Sequence, residues 1–347
     1  MKIFHRLARW LPAALVSLCA PGLAIAADAF IAVKQTTIEP SLDPGSPAWS
    51  QFPATEVILY PQLSTEPATG ETPVTAKLRA LASGRTIAIH LEWPDGVASR
   101  EHGIGKFADA VALQWPLHFG PGRALPYVGM GQAGAPVVLW WWRADGGSET
   151  LAAEGFGTLT AQPPDGVQAR GEWNDGTWRV VFTRTHAAEG VERVRFDPAQ
   201  QGLVPVAVAI WNGDATERNG LKRLSAWQLL RFEKGRVDAA YAKQLSGTAV
   251  AGDIARGKSL MSEKGCAGCH RFPGNPAQPL TGPDLSYAGG IHSAAYLLES
   301  LVEPSTTIVP GKGYFMRQGG KTVSLMPAFA GTETERNHLL AYLASLR

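Results

Sequence analysis

Hydrophobic and polar positions follow two different spacings along the chain, one before residue 235 and one after residue 250. The segment "RTIAIHLEW" alternates strictly, which places Ile87, Ile89, Leu91 and Trp93 on one face of a predicted strand. Other short runs are rich in β-branched and aromatic residues: "DAVALQWP", "PVVLWWWR", "LVPVAVAIWNG" and "LSAWQLLRFE". Short strands in series without intervening helices predict an all-β sandwich over residues 27–235.

The predicted strands carry expectations for individual residues. Asp175-Gly176 in "VQARGEWNDGTWRVVFTR" is a tight-turn pair, so a hairpin is predicted there. His90 lies on the face opposite Ile89 and is expected at the strand surface. The tryptophans at positions 140 to 142 fit two interpretations: a contact with another subunit, where aromatic residues are enriched, or packing in the core.

Helical spacing begins after a predicted linker over residues 236–250 and continues to the end of the chain. Three segments are predicted helices: "DIARGKSLMSEKG", "HSAAYLLESLVEP" and "TETERNHLLAYLASLR". In the last of them Thr332 and Glu335 have the spacing of a capping box. His292 and His338 are expected at the surface. Residues 251–347 therefore form a predicted all-α second domain.

The first residues have the pattern of a secretory signal peptide. Three basic residues precede a short apolar run, and Ala24-Ile25-Ala26 is a small-residue cleavage site. We expect residues 1–26 to be removed near Ala26, which takes the formal net charge from +2 to −1. A nearly neutral protein offers no electrostatic reason to bind nucleic acid. No later stretch is long and apolar enough to suggest a membrane anchor, so a periplasmic, exported protein is predicted.

The motif "CAGCH" carries the clearest chemistry in the sequence. Once the signal peptide is removed, Cys266 and Cys269 are the only cysteines, and His270 follows them directly. A disulfide, or a zinc site completed by other ligands, would leave His270 unexplained. C-x-x-C-H is the attachment motif of c-type haem, in which two thiols form thioethers and the histidine binds the iron. We therefore predict a covalent haem c.

The second axial ligand of this iron is expected to be a methionine. Met326 lies in "SLMPAFAG", where Pro327 favours an extended turn that holds the thioether inward. Met316 in "YFMRQ" is the competing candidate, whereas Met261 lies in the helix that enters the motif. With these features, residues 250 to 347 resemble a class I cytochrome c.

A second resemblance covers residues 30 to 235 and is carried by an ordered set of segments. These are "DPGSPAWS", "LRALASGRTIAIHLEWPD", "FADAVALQWP", "YVGMGQAGAPVVLWWWRAD" and "ERNGLKRLSAWQLLRFE". In this order they resemble the haem b-binding γ subunit of exported molybdenum enzymes related to dimethyl sulfoxide reductase. Ethylbenzene dehydrogenase, dimethylsulfide dehydrogenase, selenate and chlorate reductases and nitrite oxidoreductases contain such a subunit. The γ subunits of this family often consist of the sandwich alone. The cytochrome c that follows the sandwich in this chain therefore departs from the usual domain composition of the family.

This resemblance implies a non-covalent haem b with its iron between a methionine and a lysine. The matching positions are Met130 in "YVGMGQAG" and Lys222 in "RNGLKRLSAW". A lysine can bind iron only when it is neutral, which burial favours. Both residues also have an ordinary interpretation, as core methionine and surface lysine. The histidines of the sandwich are the alternative ligands: His90, His102, His118 and His186.

Together the two resemblances imply an electron-transfer subunit rather than an enzyme, and no catalytic residues are predicted. Its partners would be a molybdenum-containing α subunit, an iron–sulfur β subunit, and a soluble cytochrome or other redox carrier. One alternative is a carbohydrate-binding sandwich fused to a monohaem cytochrome c, because tryptophans suit sugar stacking. Another is an enzyme with an open haem site, such as a peroxidase.

Overall fold

The computed structural model describes residues 30–62, 72–187, 193–246, 250–277, 281–308 and 314–347. Its first part is built from thirteen described strands. They are β1 Phe30–Gln35, β2 Thr55–Pro61, β3 Val74–Ala82, β4 Thr86–Pro94, β5 Ala110–Pro116, β6 Val137–Arg143, β7 Gly147–Ala153, β8 Thr160–Ala161, β9 Gln168–Asn174, β10 Thr177–Thr185, β11 Leu203–Trp211, β12 Arg223–Leu224 and β13 Gln228–Phe232. The predicted signal peptide lies outside the described residues.

The strands form two layers joined at their edges, as predicted for a sandwich. One layer has the order β9, β10, β4, β3, β2, with β1 pairing β3 and β13 in parallel. The other has the order β8, β7, β6, β5, β11, β12. Pairing of β12 with β2 and of β13 with β11 connects the layers. Between them lies an apolar core that includes all four residues assigned to the inner face of β4.

Packing in the core agrees with the second interpretation for two of the three neighbouring tryptophans. Trp140 and Trp142 are buried between the layers, whereas Trp141 points to the other face of β6 and is half-buried. The predicted hairpin joins β9 to β10, and its turn residues Asp175 and Gly176 both have positive φ, 49° and 71°. Two positive φ values match the right-handed twist of a strand pair.

The expectation for His90 is wrong. It is only 1% exposed, and its ring stacks on Trp49 with centroids 4.9 Å apart. Its Nε2 lies 3.1 Å from the carbonyl oxygen of Pro44. The short 3₁₀ helix Pro47–Gln51 covers this face of β4, and strand alternation alone cannot reveal a covering loop.

The second part of the chain is mainly helical, as predicted. Its helices are α1 Ala239–Ser246, within the predicted linker, α2 Ile254–Glu263, α3 Ala288–Ile291, α4 Ala294–Val302 and α5 Glu333–Ser345. Asp253 and Ser293 cap α2 and α4, and the capping box of Thr332 and Glu335 is formed at the start of α5. The apolar faces of α2, α4 and α5 meet in a separate core.

A two-stranded ribbon interrupts this helical part and was not predicted. It consists of β14 Phe315–Gln318 and β15 Lys321–Ser324, joined through Gly319 and Gly320 at positive φ. The ribbon lies just before Met326. Among the described residues no helix is long and apolar enough to cross a membrane.

Candidate functional site

A cavity of about 630 Å³ lies where the helical part meets the sandwich. Its lining contains Cys266, Cys269, His270 and Met326, the four residues assigned to haem c from the sequence. The sandwich contributes Gln62, Tyr127 and Leu224 to the same wall. Most of the lining is apolar, and the volume is in the range of cofactor sites.

The segment with the two cysteines is held in a tight turn after α2. Gly265 takes a left-handed conformation at φ 81°, and Cys266–Gly268 then form one turn of 3₁₀ helix. The side chain of Asn275 donates to the carbonyl oxygens of Ala267 and His270, at 2.9 and 2.8 Å. The two thiols are not joined in a disulfide, and burial raises the pKa of Cys266.

The orientation of His270 defines which of its nitrogens can bind a metal. Its Nδ1 lies 2.8 Å from the carbonyl oxygen of Pro283. A carbonyl only accepts, so Nδ1 carries the proton and Nε2 keeps its lone pair. Burial lowers the pKa of His270, which keeps the ring neutral. A buried, neutral imidazole with a fixed tautomer is suited to ligate iron.

Gly282 allows the chain to pass directly against this ring. A Cβ at position 282 would lie 2.8 Å from Cε1 and 2.9 Å from Nδ1 of His270. The Gly282 amide donates to the carbonyl oxygen of Cys269 at 2.8 Å. This hydrogen bond holds the backbone of residue 282 against the segment that carries His270. Any larger residue at position 282 would move the imidazole.

The three methionines of the helical part occupy different environments. Met326 is half-buried in the cavity lining. Met316 is 48% exposed on β14 and is not part of that lining. Met261 is buried in the helical core. Within the described part of the chain no group of three or more His, Cys, Asp or Glu side chains is placed to hold a metal ion.

Aromatic residues of the two parts pack together at one edge of the cavity. Tyr127 stacks on His292, with ring centroids 5.5 Å apart and planes 21° apart, and Tyr296 lies 5.2 Å from Tyr127. His292 was expected at the surface, but it is half-buried and lines the cavity. Burial in the contact lowers its pKa to about 4. The sequence carries no signal for this contact, because it depends on how two separately folded units meet.

Met130 lies on the outer face of the second layer of the sandwich. Its φ is +80°, which is uncommon for a residue with a side chain and is typical of functional loops. The half-buried Met130 packs against an apolar cluster on the outer face of β5, β6 and β7. The outer-face cluster consists of Ala112, Val137, Leu139, Leu151 and Ala153, with Trp141, Trp211 and Trp227 at its edges.

Lys222 lies beside the same cluster and is nearly inaccessible. It is 4% exposed, and its Nζ is 5.2 Å from the centroid of the Trp211 ring. Burial alone lowers the pKa of Lys222 to about 8. Within the described ranges no hydrogen bond or ion pair to its Nζ is found. A buried amine without a hydrogen-bond acceptor or a carboxylate beside it is costly, and a metal that takes its lone pair would reduce the cost.

The remaining histidines of the sandwich lie in unrelated environments. His90 bonds to Pro44, His102 and His118 are exposed, and His186 is half-buried with its pKa lowered by burial. The outer-face cluster thus has Met130 and Lys222 as its candidate ligands, and both lie beside tryptophans.

The Lys222 segment also reaches the cavity of the helical part. The Gln62 amide donates to the carbonyl oxygen of Lys222 at 2.8 Å, and Leu224 follows two residues later. Gln62 and Leu224 both line the cavity. Tyr127, the third sandwich residue in the wall, accepts a hydrogen bond from Gly131 at 2.8 Å across the turn that carries Met130. Both candidate haem b ligands therefore lie on segments that form the wall of the other site.

Comparison with known proteins agrees with this division of the chain. The profile of the ethylbenzene dehydrogenase family matches residues 46–166, and that of the cytochrome c family matches residues 254–347. A protein of Haloferax mediterranei described as a respiratory nitrate reductase haem subunit is 34% identical over 214 residues, which cover 60% of this chain and 76% of that protein. The chlorate reductase γ subunit of Ideonella dechloratans is 31% identical, covering 54% and 79%. The chain belongs to this family of haem γ subunits.

Further relatives are consistent with that assignment. The dimethylsulfide dehydrogenase γ subunit of Rhodovulum sulfidophilum is 28% identical over 53% of this γ subunit and 72% of its own length. Among solved structures, a carbohydrate-binding module of Caldicellulosiruptor kristjanssonii in complex with cellotriose is 12% identical. The match covers 60% of this chain and 96% of that module, and its TM-score of 0.36 indicates only a distant likeness. The γ subunit is an electron-transfer protein rather than a catalytic one, and its second domain is a cytochrome c that carries haem c.

Proposed function

We propose that this γ subunit holds one covalent haem c and one non-covalent haem b. In this proposal it passes electrons between a molybdenum and iron–sulfur oxidoreductase and a soluble redox carrier. The observation that supports it best is the buried Lys222, whose amine has no hydrogen bond or ion pair within the described residues and lies over the Trp211 ring beside the outer-face cluster. Each bound haem would supply a one-electron iron couple.

The haem c site would use four residues of the cavity. Cys266 and Cys269 would form the thioethers, and Nε2 of His270 would bind iron because Pro283 fixes the proton on Nδ1. Met326 is proposed as the second axial ligand, since it lines the cavity and the exposed Met316 does not. The apolar lining would exclude water from the iron.

The haem b site would lie on the outer-face cluster between Met130 and Lys222. The neutral form of Lys222, favoured by burial, would supply the nitrogen ligand, and Met130 would supply a thioether. With both faces of each iron occupied, neither could bind a substrate.

The relatives support a proposal for the parent complex and for the location of the chain. Its subunits would be a molybdenum-containing α subunit and an iron–sulfur β subunit, assembled in the periplasm after cleavage near Ala26. The proposed division of the chain is a signal peptide over residues 1–26, a haem b sandwich over 27–235, a linker over 236–250 and a cytochrome c domain over 251–347. The alternative of a sugar-binding sandwich predicts the covalent haem alone.

A haem count separates these alternatives. The pyridine haemochrome assay of exported protein should give one extractable haem b and one covalent haem c per chain. Met130→Ala and Lys222→Ala should each lose the extractable haem and keep the covalent one, whereas His102→Ala, at an exposed position, should keep both. A single porphyrin in the unaltered protein would contradict the proposal.

A further inference from the structure

The ribbon of β14 and β15 exposes an unusual set of side chains next to the haem c cavity. All four residues of β14 are exposed, and Phe315 and Met316 are large apolar residues with 38% and 48% of their surface accessible. Leu325, directly after β15, is 46% exposed. Within the described residues the two strands pair only with each other. Phe315 and Met316 are neighbours in one strand and therefore point to opposite faces of the ribbon, and exposed apolar side chains of this size are found at sites of interaction.

Positive charge accompanies these apolar residues on both faces of the ribbon. Strand register places Arg317 on the face of Phe315, and Lys321, opposite Gln318, on the face of Met316. Neither cation forms an ion pair with a described residue. The sequence has no Asp or Glu from residue 304 to residue 332, although the mature chain as a whole is nearly neutral.

The base of the ribbon is part of the haem c site. The Leu325 amide donates to the carbonyl oxygen of Tyr314 at 2.9 Å, and the Met326 amide donates to Oγ of Ser324 at 3.1 Å. All four of these residues line the cavity. The other part of the wall is covered by the sandwich through Gln62, Tyr127 and Leu224. A protein seated on the ribbon would thus approach the cavity from the part of its wall that Tyr314, Ser324 and Leu325 form.

We propose that the ribbon is the docking surface for the external redox protein, and that this protein presents an acidic rim around an apolar patch. The inference rests on the proposed function, because it assumes haem c in the cavity. One electron would cross between haem c and the metal of the docked protein, so that one is oxidised as the other is reduced, and no proton moves. Phe315 with Arg317 on one face, and Met316 with Lys321 on the other, would each offer the docked protein an apolar contact beside a positive charge.

The test is the bimolecular electron-transfer rate of the full-length holoprotein with two probes of opposite charge. Plant plastocyanin is the acidic probe and mitochondrial cytochrome c is the basic one. For each probe, stopped flow measures electron transfer in the thermodynamically favourable direction. Arg317→Glu with Lys321→Glu should slow the reaction with plastocyanin by about tenfold or more at low ionic strength and speed the reaction with cytochrome c. Lys77→Glu with Lys258→Glu changes the net charge equally at exposed positions outside the ribbon and should alter both rates much less.

The apolar contribution is tested separately. Phe315→Ser with Met316→Ser should slow the reaction with plastocyanin at high as well as low salt, because apolar contact is not screened. Equal effects of the ribbon and control charge variants would overturn the proposal. So would ribbon-dependent binding to anionic phospholipid vesicles combined with unchanged rates, since that result would assign the ribbon to a membrane surface. The covalent haem is counted in every variant, so a failure of the cofactor proposal is recognised independently.

Discussion

The ring of Tyr127 stacks on the imidazole of His292, and this contact joins the two halves of the chain. The centroids are 5.5 Å apart and the planes differ by 21°. Tyr127 lies three residues before Met130, and His292 lines the haem c cavity. One aromatic pair therefore couples the loop of the proposed haem b ligand to the wall of the cytochrome site. The arrangement makes the contact between domains sensitive to the protonation of His292.

Acidification should separate the two domains. Burial in the contact lowers the pKa of His292 from 6.5 to about 4. The docked form therefore binds fewer protons than the separated form between these pH values. Docking is at full strength above pH 6.5 and weakens as the pH falls towards 4, by up to about 3 kcal/mol. Small-angle scattering should show the radius of gyration rising below a pH of about 5.

Two variants isolate the role of this histidine. His292→Phe keeps an aromatic ring in the stack but cannot take up a proton, so its radius of gyration should stay constant over the same range. His102→Phe replaces an exposed histidine and should behave like the unaltered protein. If His292→Phe expands on acidification as much as the unaltered protein does, another group controls the contact.

Replacing Lys222 should stabilise the protein from which haem b has been extracted. Burial lowers the pKa of Lys222 from 10.5 to about 8, so at pH 7 a charged amine is held in an apolar site. The folded state binds fewer protons than the unfolded state between pH 8 and 10.5, so stability should rise with pH across that window. Lys222→Met should add roughly 3 kcal/mol to the free energy of unfolding at pH 7.

Denaturant unfolding at pH 7 and pH 10 measures this effect. The increase in the free energy of unfolding caused by Lys222→Met should be smaller at pH 10, where the amine of the folded protein is already neutral. Lys77→Met, at an exposed position of β3, is the matched control and should change little. A loss of stability in Lys222→Met at both pH values would show that the amine has a favourable partner in the folded protein.

Gly282→Ala should disturb the cytochrome site without unfolding the domain. The added Cβ would lie 2.8 Å from Cε1 of His270, so the ring must shift away from the Pro283 carbonyl. A weakened hydrogen bond lowers the basicity of the ligand and should change the reduction potential of haem c. Redox titration measures this change. Gly84→Ala, where nothing lies within 4 Å of the new Cβ, should leave the potential unaltered.

Met326→Ala should open the haem c iron to external ligands. Met326 is the methionine in the cavity lining, so its loss removes the proposed sixth ligand. The reduced variant should then bind carbon monoxide, which absorption spectra detect. The control variant Met316→Ala, on the exposed ribbon, should not bind carbon monoxide. Carbon monoxide binding by Met316→Ala and not by Met326→Ala would reverse the assignment of the two methionines.

Local sequence patterns were sufficient to predict the secondary structure around both sites. Strand alternation predicted β4, the Asp175-Gly176 pair predicted the hairpin, and Thr332 predicted the start of α5. The interactions that form these features are made between residues close together in the chain, so a short segment is enough to predict them. C-x-x-C-H is equally local, because attachment to haem needs only five consecutive residues.

By itself the sequence determined a β-sandwich, a cytochrome c domain and a covalent haem motif. Only the tertiary structure decided which residues of the sandwich, Gln62, Tyr127 and Leu224, enter the cytochrome cavity, and that His292 is half-buried against Tyr127. It also revealed the loop that covers His90 and the exposed ribbon before Met326. The physical reason is that burial depends on contacts between residues far apart in sequence, which no periodicity within a segment encodes.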